Sequence, residues 1–304
     1  MKVAALDLGS NTFLLLLAEV KAGKVEKFYA DYTRVVKLGQ GVQQTKRFHP
    51  DALKRAEDCF RDYQKLIEEF KPDKVMAVAT SAARDAENKD DFFALAKKYS
   101  IPVQVIPGSM EADITFQGAT CDFANNVDKA VIDVGGGSTE IIGQGENKNI
   151  TGKSVDVGSV RLTEMFFPQQ PPKTEQVTAL FENAQKQFEQ SRIHFPKKVK
   201  EVIAVAGTPT SLACLELAQD YDESKVHKLT LTQNQIVKWI EIMAPMTVEE
   251  REQLKGMPSK RADVLVAGSL ILLAAMKSLN VNQVTVSTRG VRFGVALKLA
   301  EGDL

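Results

Sequence analysis

Ala130-Val-Ile-Asp-Val-Gly-Gly-Gly-Ser-Thr-Glu-Ile-Ile142 is the stretch that decides the fold. It reads as an apolar strand ending Asp133-x-Gly135, a turn of small residues, and a second apolar segment. The chain has used the same device once before. Val3-Ala-Ala-Leu-Asp-Leu-Gly-Ser-Asn-Thr12 is an apolar strand ending Asp7-x-Gly9, and 13–20 follows as a second buried strand. A duplicated unit of strand, Asp-x-Gly, small turn and strand predicts two related domains facing each other across a cleft.

Outward from the first copy, Lys21-Ala-Gly-Lys24 reads as a hairpin turn and 24–38 as a third extended stretch. Pro50 opens an amphipathic helix over 50–70, with Leu53, Ala56, Phe60, Tyr63 and Ile67 at helical spacing. Strands over 75–79 and 103–106 then alternate with helices over 81–98 and 109–119. Outward from the second copy, 143–152 is a turn-rich hairpin segment. Helices over 159–167, 173–192, 209–218 and 233–243 and strands over 202–206 and 284–287 follow, before a closing helix. The polar stretch 123–128, with Asn125-Asn126, marks the boundary. The expected domains are 1–124 and 125–304, with the final helix placed to pack back on the first. The fold class is α/β, two domains with mixed sheets flanked by helices.

The bulk numbers agree and narrow the function. A chain of 304 residues is long enough for two cores, and 44% hydrophobic with 26% charged residues is ordinary for a soluble protein. Lys+Arg and Asp+Glu both total 39, so whole-molecule attraction for a polyanion is absent and any phosphate site must be local. Nucleic acid is not an expected partner. Cys59, Cys121 and Cys214 lie far apart, as reduced thiols of a cytoplasmic protein do. His49, His194 and His227 are equally scattered and give a zinc site no support. Asp7 interrupts the N-terminal apolar run, and 264–276 is too short to cross a bilayer. No membrane association is expected.

Three loops carry chemistry. Asp7-Leu-Gly-Ser-Asn-Thr12 can aim backbone amides and the polar groups of Ser10, Asn11 and Thr12 at phosphate oxygens, or can be a plain hairpin bonded to itself. Gly135, Gly136 and Gly137 in a row cost conformational entropy, and the usual need they meet is close approach of backbone to a phosphate. Ser138 and Thr139 extend that loop, and Asp133 and Glu140 supply hard oxygens for Mg²⁺ bound to the phosphate. Ala204-Val-Ala-Gly-Thr-Pro-Thr-Ser211 feeds a strand through Gly207 and Thr208 into a helix N-terminus, an anion site or simply a helix capped by Thr208.

Taken in this order, the three loops resemble the phosphate and ligand loops of the actin-like ATPase superfamily. Within it, the chain resembles the exopolyphosphatase and guanosine pentaphosphate phosphohydrolase (Ppx/GppA) family over nearly its whole length. Further stretches carry the resemblance: Val35-Val-Lys-Leu-Gly-Gln-Gly41, Ala77-Val-Ala-Thr-Ser-Ala-Ala-Arg-Asp-Ala86, Ile106-Pro-Gly-Ser-Met-Glu-Ala112, Gly158-Ser-Val-Arg-Leu-Thr-Glu164 and Val286-Ser-Thr-Arg-Gly-Val-Arg292.

The resemblance implies hydrolysis of a terminal phosphate from inorganic polyphosphate or from guanosine pentaphosphate, with Mg²⁺. It makes Glu111 the base that readies the attacking water, a position that otherwise reads as a first-turn helix acid. It places Arg84 on phosphate, where a planar guanidinium binds two oxygens. Asp7 joins Asp133 and Glu140 at the metal, through water or directly. Arg161 serves ordering between loops, with Thr163 and Glu164 shaping its segment. The chain departs from the family pattern at Leu14, Asp113 and Phe293, which bears on substrate choice and activity. It ends at Leu304, as the short two-domain form does, which implies a weaker preference for very long polymers. An actin-like kinase and a non-catalytic phosphate sensor are the readings from other classes. A homodimer is the common soluble assembly.

Overall fold

The computed structural model of the chain describes residues 1–303 except 125–126, 145–149 and 197–198, and not the side chains of Gln43 and Ile193. The Asn125-Asn126 pair and the middle of the 143–152 turn thus lie outside the described residues. Two units are present, Met1–Cys121 with Gly290–Leu304, and Asp122–Arg289. The division falls at Cys121/Asp122, a little ahead of the sequence boundary, and the closing helix belongs to the first unit.

The first unit is built on five strands: β1 (Lys2–Leu8), β2 (Thr12–Lys21), β3 (Lys24–Val35), β4 (Lys74–Ala79) and β5 (Val103–Val105), in the order β3-β2-β1-β4-β5. β1 runs antiparallel to β2 and parallel to β4, which is parallel to β5. β1 and β2 are covered on both faces, which is why they read as continuous apolar runs rather than alternating ones. β3 lies at the edge, mostly exposed and dotted with charge, as edge strands are.

The Pro50–Phe70 helix starts where His49 accepts from the Asp51 amide and Pro50 needs no donor. Its stripe of Ala52, Ala56, Cys59, Phe60, Tyr63 and Ile67 is buried. Phe60 stacks on Phe13 at 5.6 Å, and both meet Phe92. Each such buried ring contributes about 2 kcal/mol.

The expected 81–98 helix is two helices, Ser81–Asp85 and Lys89–Lys98. Ala86 turns extended, and Asn88 Oδ1 accepts from the Phe48 amide at 2.7 Å, a tertiary bond that helical periodicity does not foresee. The Gly108–Thr120 helix packs on the closing Val291–Glu301 helix at backbone distance. A Cβ on Gly118 would stand 2.1 Å from Gly290 O, and one on Gly294 2.0 Å from Ile114 O. Two of the three departures settle here. Asp113 pairs with Lys298 at 2.9 Å, and Phe293 is buried with its ring edge-on to Phe28.

The second unit repeats the plan with β6 (Lys129–Val134), β7 (Thr139–Gln144), β8 (Ile150–Val155), β9 (Glu201–Val205), β10 (Thr230–Thr232) and β11 (Gln283–Val286), ordered β10-β11-β9-β6-β7-β8. β6 is antiparallel to β7 and parallel to β9, which is parallel to β11. That is the connectivity of β2, β1, β4 and β5. β10, three residues long and antiparallel to β11, was not expected from the sequence. The 264–276 run becomes the Leu265–Ser278 helix, buried from Leu265 to Met276. No helix among the described residues is long and apolar enough to cross a membrane.

Candidate functional site

In the first unit, β1, β4 and β5 are parallel neighbours whose carboxyl ends coincide, with Asp7 beside Val78 and Ala79 beside Val105. Three loops leave from that edge, where open α/β sheets place their ligands. The loop after β1 is a tight turn, the Gly9 amide donating to Thr12 O at 3.1 Å. Its carbonyls are engaged from behind: Ser10 O accepts from the Gly39 amide at 2.7 Å, and Asn11 O from the Val36 and Lys37 amides. The Ser10 and Asn11 amides have no acceptor among the described residues. Ser10 and Ser81 share a hydroxyl hydrogen bond of 2.9 Å. Asn11 is buried, and neither its Oδ1 nor its Nδ2 has a partner among the described residues. Thr12 opens β2.

The loops after β4 and β5 bring Arg84 and Glu111 together. Arg84 Nη1 donates to Glu111 Oε2 at 2.7 Å and to Ile106 O at 2.9 Å. Glu111 lies in the first turn of the Gly108–Thr120 helix and is 7% exposed. Burial pushes its carboxyl above the usual range. The Arg84 charge and hydrogen bonds from Arg84 and the Thr80 hydroxyl pull the other way. Burial wins.

In the second unit the loop after β6 makes the same turn, the Gly135 amide donating to Ser138 O at 3.0 Å. The backing comes from the start of the Ser159–Phe166 helix. Gly135 O accepts from the Ser159 amide and hydroxyl, Gly136 O from the Val160 and Arg161 amides, and Gly137 O from Arg161 Nε at 2.7 Å. The Gly136 and Gly137 amides have no acceptor among the described residues. Thr139 is fully buried with its hydroxyl on Val157 O, so its side chain ties the loop to the 155–158 segment.

Asp133 and Glu140 stand directly opposite in the β6–β7 ladder and share a sheet face. Like charges so placed repel. Two hydroxyls, from Ser138 at 2.8 Å and Ser154 at 2.6 Å, converge on Glu140 Oε1. Two carboxylates on one face are a donor set that suits Mg²⁺, which binds through one or two carboxylates with substrate phosphate and water completing it. Among the described residues no cluster of three or more acidic, His or Cys groups forms a fuller metal site.

β9 hands on to Gly207 and Thr208. The helix begins at Gly207, and its N-cap is Ala206 with no side-chain bond, not Thr208. Ala206 holds φ 73° and ψ −166°, a conformation that favours glycine and carries strain in any other residue. Thr208, one residue inside, leans its hydroxyl on Gly268, where a Cβ would stand 2.4 Å away. The Arg261 guanidinium lies against Gly207, within 2.3 Å of the position a Cβ would take.

Of the residues that back the loops, sequence reasoning gave only Arg161 an ordering role, through the resemblance. Gly39 and Gly158 were the available signal. Gly158 has ordinary extended backbone, φ −125° and ψ 154°, so only steric closeness calls for glycine there. A Cβ would meet Gly136 O at 2.3 Å. Ser154 and Arg261 carry no local pattern that marks them, and Thr80 and Ser81 lie within the quoted 77–86 stretch with no role of their own assigned there.

Comparison with known proteins converges on one family. The Ppx/GppA phosphatase family model matches residues 16–302. Exopolyphosphatase 2 of Mycobacterium tuberculosis is 34% identical over 315 residues, covering 98% of each chain. A guanosine-5'-triphosphate,3'-diphosphate pyrophosphatase of Photobacterium profundum is 29% identical over 97% of this chain and 59% of its own length. The crystal structure of the Aquifex aeolicus Ppx/GppA member superposes with a TM-score of 0.81 at 33% identity, covering all of this chain and 98% of that one.

Proposed function

The chain belongs to the Ppx/GppA phosphatase family, and from that premise we propose that it is an exopolyphosphatase releasing the terminal phosphate of inorganic polyphosphate. The observation that carries the hydrolytic reading is Glu111, a buried carboxylate made more basic by its surroundings at the carboxyl edge of a parallel sheet. Such a group is suited to take a proton from water. In the step proposed, a water oxygen bonds to the terminal phosphorus as the bridging P–O bond breaks. The water proton passes to Glu111, and the shortened polymer leaves with the bridging oxygen.

The remaining residues bind and orient. The Ser10 and Asn11 amides in one unit and those of Gly136 and Gly137 in the other are donors suited to phosphate oxygens. The unpartnered amide of Asn11 supports a ligand at the first loop, because a buried polar group left unsatisfied costs about 1–3 kcal/mol. Gly207 and Thr208 open an eleven-residue helix whose dipole favours an anion. Asp133 and Glu140 would hold Mg²⁺, with Asp7 acting through water; bound there, the metal would neutralise charge on the phosphoryl group. Arg84 adds a cation. The reading places the enzyme in the cytoplasm, in keeping with buried Cys59 and Cys214 thiols.

The Photobacterium profundum relative favours guanosine pentaphosphate as the second substrate to test. Phosphate release from polyphosphate, guanosine pentaphosphate and ATP, each with and without Mg²⁺, ranks the substrates. Glu111→Gln is expected to lower kcat on the preferred one by about 10²- to 10⁴-fold with little change in KM. Full activity in that variant would remove Glu111 from the chemistry.

A further inference from the structure

Two residues given different tasks are bonded to each other. Arg84 is assigned to phosphate and Glu111 to water, yet Arg84 Nη1 sits 2.7 Å from Glu111 Oε2. The bond is also lopsided. The Arg84 side chain is 26% exposed and that of Glu111 9%. An anion arriving from solvent therefore meets the guanidinium before the carboxylate.

The geometry points to a partner exchange: the terminal phosphate takes Arg84 from Glu111, and the substrate itself thereby releases the base. This deepens the function proposed above and rests on it. The exchange is favourable in that direction. A terminal phosphate carries more charge than a carboxylate and offers several oxygens to the planar fork, against the single oxygen that Glu111 presents. Arg84 need not leave its place, because the Ile106 carbonyl also accepts from Nη1 at 2.9 Å and stays as an anchor.

The consequence for Glu111 follows from what faces it. Arg84, from the short helix after β4, is the charged group acting on the carboxylate, and the Thr80 hydroxyl is the polar one. On its own helix, Asp113 is engaged by Lys298. With the Arg84 hydrogen bond turned to phosphate and its charge offset by the phosphate's, burial is opposed less, and the carboxylate becomes a stronger base at the moment substrate is seated. Before that moment the ion pair holds its basicity below what burial alone would give.

The pH profiles decide it. The acid limb of kcat/KM reports the free enzyme and that of kcat the enzyme–substrate complex. In the wild type the kcat limb is expected at higher pH than the kcat/KM limb, by about one unit. Arg84→Gln should raise the kcat/KM limb to meet it and leave the kcat limb in place. Ionisation of the substrate is common to both proteins and cancels. If both limbs rise together in the variant, the arginine stays on Glu111 through turnover and the exchange is wrong. If neither moves, the ion pair does not set the base.

A second measurement needs no turnover. The carboxyl carbon of Glu111, labelled with ¹³C and identified by its loss in Glu111→Gln, is titrated with and without imidodiphosphate. The exchange requires the ligand to raise the wild-type midpoint. In Arg84→Gln the midpoint should already be high and respond less. An equal response in the two proteins would overturn the exchange. A chain that hydrolyses no polyphosphate would end the functional reading alone, since this titration still reports on Arg84.

Discussion

In the first glycine loop the Gly9 amide closes on Thr12 O at 3.1 Å, and in the second the Gly135 amide closes on Ser138 O at 3.0 Å. Each turn follows an Asp-x-Gly at the end of a strand with an antiparallel neighbour on one side and a parallel one on the other. Each has its carbonyls engaged from behind and two successive amides without an acceptor among the described residues. The backbone plan is one plan used twice. What surrounds it differs at two points.

The first difference is across the ladder. Asp133 stands opposite Glu140, whereas Asp7 at the matching position stands opposite Leu14. The third departure from the family pattern thus falls on the residue that faces the first aspartate. Among the described residues a carboxylate pair faces across the ladder on the second loop and not on the first, so two oxygen donors share one sheet face there. The second difference is the backing. Gly135, Gly136 and Gly137 are gripped by Ser159, Val160 and Arg161 of a helix start, with Gly158 close against them, while the first loop rests on the 36–39 strand exit and on the Ser10–Ser81 hydroxyl pair. Duplication supplied the turn. Chemistry came from the residue opposite and the segment behind.

The largest expected effect tests the backing. Gly158→Ala puts a methyl 2.3 Å from Gly136 O and from the Gly137 carbonyl carbon, all backbone with nothing flexible to yield. The second loop must shift, and a displacement on the ångström scale costs about 10²-fold in rate. Gly39→Ala puts its methyl 3.0 Å from the Ser10 Cβ, a contact that a few tenths of an ångström relieves. Its loss in kcat/KM should stay below about 10-fold by the same scale. Equal losses would mean that the two loops are backed alike.

The next effect tests the carboxylates. Asp133→Asn should raise the Mg²⁺ concentration giving half-maximal activity by about 10- to 100-fold. Asp7→Asn, with Leu14 opposite, should raise it far less and act on kcat instead. A larger Mg²⁺ shift for Asp7→Asn would move the metal to the first loop.

How far the sequence is legible follows the same division. Strand, Asp-x-Gly and small turn were readable because glycine and a strand-ending aspartate are local signals, and both sheets grow from them. The 233–243 helix was readable, and the Thr232 and Gln235 capping box at its start is a local feature too. The break between the Ser81–Asp85 and Lys89–Lys98 helices was not, because Asn88 is held by Phe48, forty residues away along the chain. The Arg84–Glu111 bond spans 27 residues and exists only because β4 and β5 are parallel neighbours. The start of the helix at Gly207 depends on the strained Ala206, a residue type with no preference for that geometry. Glu111 and Arg84 could be named one at a time from the resemblance. Their pairing needed the sheet.

The smallest expected effect is on stability, at one of the two side chains that the second loop replaces with glycine. Counting from the paired turns, Ser10 matches Gly136 and Asn11 matches Gly137, so the first loop carries a side-chain amide where the second has backbone alone. That amide is buried with both polar atoms unpartnered among the described residues, a penalty of about 1–3 kcal/mol. Asn11→Ala removes the penalty and leaves a small void, two terms of opposite sign and similar size. The melting temperature without ligand should therefore move by no more than about 4 °C. The rise in melting temperature on adding imidodiphosphate should shrink, because a donor that only the ligand satisfies has gone. A variant that melts well below the wild type yet keeps the full ligand-induced rise would make Asn11 a structural residue and the first loop's side chains mere packing.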